Sequence, residues 1–227
     1  MGKAKRLRAQ RRAAPPPVGK NRPLNRTMLI SGAILAALAA AGISIGVIRS
    51  SSGGHAAART VEELALAGLQ TGPAPWRPEI ASLADRLRVL QLPALTQEGS
   101  VVHVHQHLDL FVDGRHAVVP GGIGINDNSF ISPIHTHDAS GVIHVESPSK
   151  EHFTLAQFFA IWGVRFTRNA LGGYRSSPAH PIRFYVDGKR LASDARRLVL
   201  SSHQEIAVVV GRAPARLPSS YSFPEGE

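Results

Sequence analysis

The apolar residues of this chain change their spacing twice along its length. Residues 28–48 read M-L-I-S-G-A-I-L-A-A-L-A-A-A-G-I-S-I-G-V-I and carry no charge. As a helix rising about 1.5 Å per residue, that run spans roughly 30 Å, the thickness of a bilayer's hydrocarbon core. It predicts a transmembrane helix. From Thr60 the spacing is that of an amphipathic helix. A capping box at Thr60-Val61-Glu62-Glu63, followed by Leu64, Leu66 and Leu69, predicts one short helix. Ile80, Leu83, Leu87 and Leu90 predict a second, over about 78–90 and closed by Pro93.

From Val101 the period shortens to two. Val102, Val104, Leu108, Leu110 and Val112 share one face of a strand; His103, His105, His107, Asp109 and Phe111 share the other. Asp113-Gly114 predicts a tight hairpin turn, and Pro120-Gly121-Gly122 ends the returning strand. Residues 131–136 and 142–146 predict a second hairpin around Asp138-Ala139-Ser140-Gly141. A plain four-residue loop sets His135 opposite His144, whereas a bulge at Gly141 shifts the register by one; the sequence leaves both open. Thr154 and Gln157 then form a capping box, with Phe153 and Phe158 at the staple positions. Leu155, Phe158, Phe159 and Trp162 give this helix a buried face, and Gly163 is placed to cap it. Residues 183–186 and 205–210 read as further strands, with Asp187-Gly188 as another hairpin turn.

The expected organisation is an arm at 1–27, a transmembrane helix at 28–48, a flexible linker at 49–59, a helical lead-in at 60–95, a histidine-rich domain at 96–213 and a tail at 214–227. The fold class is α+β: β-hairpins in a mainly antiparallel sheet with a few packing helices, behind the transmembrane helix.

Charge sets the orientation. The chain has a formal net charge of +10, from 26 basic and 16 acidic residues. Nine of the basic residues and none of the acidic ones precede Thr27. The basic character therefore belongs to the arm, which composition marks as disordered, and a nucleic-acid-binding domain is not implied. By the positive-inside rule the amino terminus is cytoplasmic and the rest lies outside the membrane. The apolar run is longer than that of a cleaved signal peptide. Residues 28–48 make the membrane one expected partner; other envelope proteins are candidates, and nucleic acid is not. Cysteine is absent, and the only methionines are Met1 and Met28. The folded part thus offers no thiolate, no disulfide and no thioether ligand.

Seven of the eleven histidines lie between Val101 and Glu146, and all but His116 fall in two clusters of alternating positions. Neutral imidazole is a ligand for zinc, copper, nickel and iron. Histidines two apart on a strand converge on one side, and a third from a neighbouring strand completes a set. His103 and His107 are separated by about 13 Å along an extended strand, against metal–nitrogen bonds of about 2 Å. One ion therefore takes a subset of His103, His105, His107, His135, His137 and His144, or two ions share them. Without soft ligands, divalent copper and zinc lead, with iron or nickel behind. Asp109, Asp138 and Glu146 are candidate ligands, or acceptors that fix the imidazole tautomers. The competing reading, alternating histidines that merely decorate half-exposed strands, fits one H-x-H better than six residues in two clusters.

Enzyme signatures do not match. H-V-H-Q-H-L-D lacks the final step of the H-x-H-x-D-H of metallo-β-lactamases, and Glu146 is too far from His137 for a cupin H-x-H…E. The G-x-S-x-G string at Gly42–Gly46 lies inside the uncharged run at 28–48 and not at a strand-to-helix turn, so it is no nucleophile elbow, and Gly121–Asn126 is too short for a dinucleotide loop.

P-W-R-P at 75–78, H-V-H-Q-H-L-D-L-F-V-D-G, S-P-I-H-T-H-D-A-S-G-V-I-H-V-E-S-P and F-T-L-A-Q-F-F-A-I-W-G-V-R-F together resemble an uncharacterised family of bacterial single-pass membrane-anchored proteins. The resemblance covers about residues 71–211. It implies a bacterial, extracytoplasmic setting and no particular ligand or activity. The expected function is binding of a divalent transition metal for envelope metal handling. The alternatives are a metal-dependent hydrolase or oxygenase, with Asp138 or Glu146 as base, and a structural or interaction domain without metal.

Overall fold

The structure is a computed structural model that describes residues 61, 64–127 and 129–226. The expected arm, transmembrane helix and linker lie outside the described residues, as does the Thr60 capping box. Among the described residues, no helix is long and apolar enough to cross a membrane.

Along the chain the strands are β1 (Val102–Val112), β2 (Arg115–Ala117), β3 (Ile125–Asn126), β4 (Phe130–Ile131), β5 (Ile134–His135), β6 (Val142–Ser147), β7 (Phe166–Thr167), β8 (Ala170–Leu171), β9 (Tyr174–Arg175), β10 (Ile182–Val186), β11 (Lys189–Arg190) and β12 (Glu205–Val210). Among the described residues two α-helices accompany them, α1 (Leu83–Leu90) and α2 (Leu155–Trp162). Among the described residues the main sheet has seven strands, ordered β11-β10-β12-β1-β6-β5, with β2 also paired to β1. Every pairing in it is antiparallel except β1 with β12. The α+β class with a mainly antiparallel sheet holds.

β1 organises the sheet because it is long enough to pair with two strands along one edge and a third along the other. Its first half pairs with β6, from Val102↔Ser147 to His107↔Val142, and its second half with β2 across the Asp113-Gly114 turn. Along the other edge, β12 pairs from His107↔Glu205 to Val112↔Val210. Asp113 and Gly114 take φ of 48° and 82°, and Asp187 and Gly188 take 50° and 73°. Two successive left-handed residues are what a two-residue turn needs to match strand twist.

The period of two sorts each strand as expected. Leu108 and Leu110 of β1, Ile143 and Val145 of β6, and Ile206, Val208 and Val210 of β12 enter one hydrophobic core with Leu83 and Leu87 of α1 and Leu155, Phe158, Phe159 and Trp162 of α2. Fully burying one such side chain is worth about 1.5–3 kcal/mol. α2 begins as predicted: Thr154 Oγ1 accepts from Gln157 N, the Gln157 side chain accepts from Thr154 N, and Gly163 closes the helix at φ 77°. The histidine face is therefore the opposite face of a sheet anchored from behind.

Three expectations change. Residues 64–69 form bends and turns, not a helix; Gln70 beyond them makes an isolated bridge to Val164. Helix α1 starts at Leu83 rather than near Pro78, because Glu79 folds back to accept from Ser82 N. The strand expected over 131–136 divides into β4 and β5. Pro133 has no N–H to give the ladder, so β4 pairs with β3 and β5 with β6.

Candidate metal centre

The hairpin register left open by the sequence is resolved in favour of the plain loop: His135 lies opposite His144, and Ile134 opposite Val145. Since His105 also lies opposite His144 from the other side, a row of imidazoles crosses β1, β6 and β5. Their rings stand 4.5 Å apart (His105 and His144) and 5.3 Å apart (His135 and His144). His137 leans back over the row, 4.4 Å from the His144 ring and 4.7 Å from that of His135. His103 lies across from Glu146, its ring 4.8 Å from that of His105.

Glu146 is the hub. Its side chain is 4% exposed, yet its carboxylate meets four histidines: His144 Nδ1 at 3.3 Å and His103 Nε2 at 3.4 Å from Oε1, His105 Nε2 at 3.9 Å from Oε1, and His135 Nε2 at 3.9 Å from Oε2. Oε2 is buried and has no hydrogen-bond donor among the described residues. An ionised oxygen in that position is costly unless a cation or donor reaches it. His135 Nε2 also lies 3.2 Å from His137 Nε2. In a tetrahedral site with bonds of about 2.05 Å, neighbouring ligand atoms are about 3.3 Å apart. Ligand atoms of His135, His137, His144 and Glu146 all fall within 4.8 Å of one another. This buried histidine cluster around Glu146 could hold a metal ion.

The protonation states suit that role. His135 Nδ1 lies 3.0 Å from the Ser132 carbonyl, which can only accept, so Nδ1 carries the proton and Nε2 keeps the lone pair. Burial pushes the His135 pKa down to about 4. His105 is also lowered to about 4, by burial and then by the neighbouring His144 and His103. For Glu146 burial acts upward, but the His144 hydrogen bond and the charges of His135 and His103 outweigh it and hold the carboxyl at about 2. Near pH 7 Glu146 is thus a carboxylate and His135 and His105 are neutral imidazoles, the forms that bind metal.

His107 stands apart from the other five. It faces β12 rather than β6's glutamate, with Nδ1 2.8 Å from Glu205 Oε2 and Nε2 2.8 Å from the Ser140 carbonyl. Both ring nitrogens are engaged. Burial acts against the His107 cation, but the Glu205 hydrogen bond and charge raise its pKa; burial also raises Glu205. The pair therefore retains one proton between Nδ1 and Oε2. Tyr221 lies flat on the ring at 3.8 Å and 5°, a cation–π contact in geometry. The tail expected at the surface is thus drawn across this end of the histidine face, with Phe223 packed on Tyr221 and His203.

Asp109 hydrogen-bonds His116 at 2.9 Å and flanks His107 at 3.8 Å. Asp138 is used by its turn, accepting from Ser140 N at 2.8 Å. Neither joins the cluster around Glu146. Sequence reasoning missed three participants. Glu205 opens an otherwise apolar strand, a signal that was present. Glu98, 3.4 Å from His137, and Tyr221 carried none.

Comparison with family models, with curated proteins and with solved structures finds no match for this chain.

Proposed function

We propose that this protein binds a divalent transition-metal ion, copper or zinc, through His135, His137, His144 and Glu146, and serves metal handling in a bacterial envelope. The observation that carries the reading is Glu146 Oε2: a buried, ionised oxygen with no donor among the described residues, facing His135 Nε2 at 3.9 Å. A cation shared with the imidazoles satisfies it. Nitrogen and carboxylate ligands without sulfur favour divalent copper or zinc. Residues 28–48 hold the chain in the membrane as a single pass, with the basic arm inside and this domain outside; the uncharged run, the charge asymmetry and the family resemblance support that placement.

A second reading is a metal-dependent enzyme. It is favoured by one observation: the side chains of His103 and His137 are 53% and 44% exposed, so one side of the cluster opens to solvent, where a metal-bound water would sit. Glu146 is then a ligand rather than the base.

The test uses the full-length chain without a histidine tag, purified in detergent. Metal content is measured directly, and Cu(II) and Zn(II) are titrated in. Binding tighter than about 10 μM, equivalent to about −7 kcal/mol, is expected, with a loss of at least about 100-fold in His135→Ala/His144→Ala. Wild-type binding weaker than that limit, or affinity unchanged in the double variant, overturns the reading.

A further inference from the structure

The two oxygens of Glu146 serve different histidines. Oε2 faces His135, which in turn faces His137. Oε1 faces His103 at 3.4 Å and His105 at 3.9 Å on β1, and His144 Nδ1 at 3.3 Å on its own strand, which leaves His144 Nε2 as that ring's ligand atom. By mutual distance the five histidines fall into two ligand sets, His135/His137/His144 and His103/His105, each with atoms within 4.8 Å of one another once Glu146 is included; Glu146 is the residue common to both. Two ligand atoms on one ion cannot be farther apart than two bond lengths, about 4.2 Å. The strand order explains the division. β6 carries Glu146 between β1 and β5, and those outer strands are about 9.6 Å apart at ordinary sheet spacing.

We propose that the histidine face is a two-metal centre bridged by Glu146, with one ion on His135, His137 and His144 and a second on His103 and His105. This rests on the metal reading above and adds a site to it. Bridging carboxylates hold such pairs about 3.5–4 Å apart. The two positions are unequal. Three imidazoles and an oxygen complete a tetrahedron at the first. Two imidazoles and an oxygen leave the second short of a ligand on the side where His103 is exposed, so the second ion takes an exchangeable water or small oxyanion.

The test again uses the full-length, tag-free chain, with Cu(II) as probe. Equilibrium dialysis at saturation reads ions per chain, and electron paramagnetic resonance reads whether they interact. Two ions per chain are expected, with a spin count well below two because the bridged ions couple. His103→Ala/His105→Ala should drop the stoichiometry to one and restore a full-intensity, uncoupled signal. Should the double variant not fold, as judged by circular dichroism, His103→Ala alone at its exposed position should weaken the second ion at least about 10-fold and leave the first unchanged. Glu146→Gln should abolish coupling. One ion in the wild type, or two retained by the β1 variants, overturns the bridged pair while leaving the single-ion reading standing. No ion at all overturns both.

Discussion

His135 and His107 share a sheet face and differ in everything that decides their chemistry. His135 is neutral because it is buried, and its folded pKa of about 4 lies below the ordinary 6.5. The unfolded chain therefore takes up the proton first. The contribution of this residue is intact above pH 6.5, is lost as pH falls toward 4, and is flat below that. The interval corresponds to roughly 3 kcal/mol at about 1.36 kcal/mol per pKa unit. Glu146, held at about 2, adds its own loss only below its ordinary 4.5. Metal-free protein should thus show a clearly lower urea midpoint at pH 4.5 than at pH 7; equal midpoints would contradict the buried neutral imidazole. His107 makes the opposite prediction. Its replacement by alanine leaves Glu205, 1% exposed, without its partner, at a cost of about 3 kcal/mol. His107→Ala should lower the denaturation midpoint and leave metal affinity within about 3-fold, since His107 lies outside the cluster around Glu146. An affinity loss like that of His135→Ala/His144→Ala would place it among the ligands.

At the level of elements, the β5–β6 loop controls the site, because a one-residue slip would turn His144 and Glu146 into the core. Gly141 guards that register. It sits at φ 92°, and a Cβ there would meet the Leu108 carbonyl oxygen at 2.7 Å and His107 Nε2 at 2.9 Å. Gly141→Ala should cost about 2 kcal/mol or more in thermal stability and weaken metal binding, measured on the same sample; a neutral result would mean the loop yields without moving the strand. Elements with local signals were legible in the sequence: the Thr154–Gln157 box, both Asp-Gly turns, and the alternation that put His103 and His105 opposite Leu108 and Leu110. Less was readable where the outcome depends on distant partners. The leucines at 64, 66 and 69 look helical, but Gln70 beside them pairs with Val164, nearly a hundred residues away. Pro133 was visible, yet β4 and β5 were read as one strand. Of the six candidate ligands, the five near Glu146 follow from period and register. The departure of His107 depends on β12 being its neighbour, which no local pattern encodes.

For the whole molecule, residues 28–48 are the proposed tether and the described domain the working part. Deleting 28–48 should move the protein from the membrane to the soluble fraction on centrifugation while its metal-to-protein ratio stays the same; retention in the membrane fraction would remove the transmembrane reading. The sheet itself has a consequence in time. The strands that carry the proposed ligands, β1, β5 and β6, lie within residues 102–147, whereas β12, which lines the other edge of β1, is the last strand among the described residues and ends at Val210. At synthesis rates of about 5–20 residues per second, the ligand-bearing strands leave the ribosome several seconds before the strand that completes their sheet. During that interval β1 has an unpaired edge beside a histidine row already able to assemble. An ion captured then, on the proposed ligands, would fasten β1 to β6 and β5 and set their register before β12 arrives.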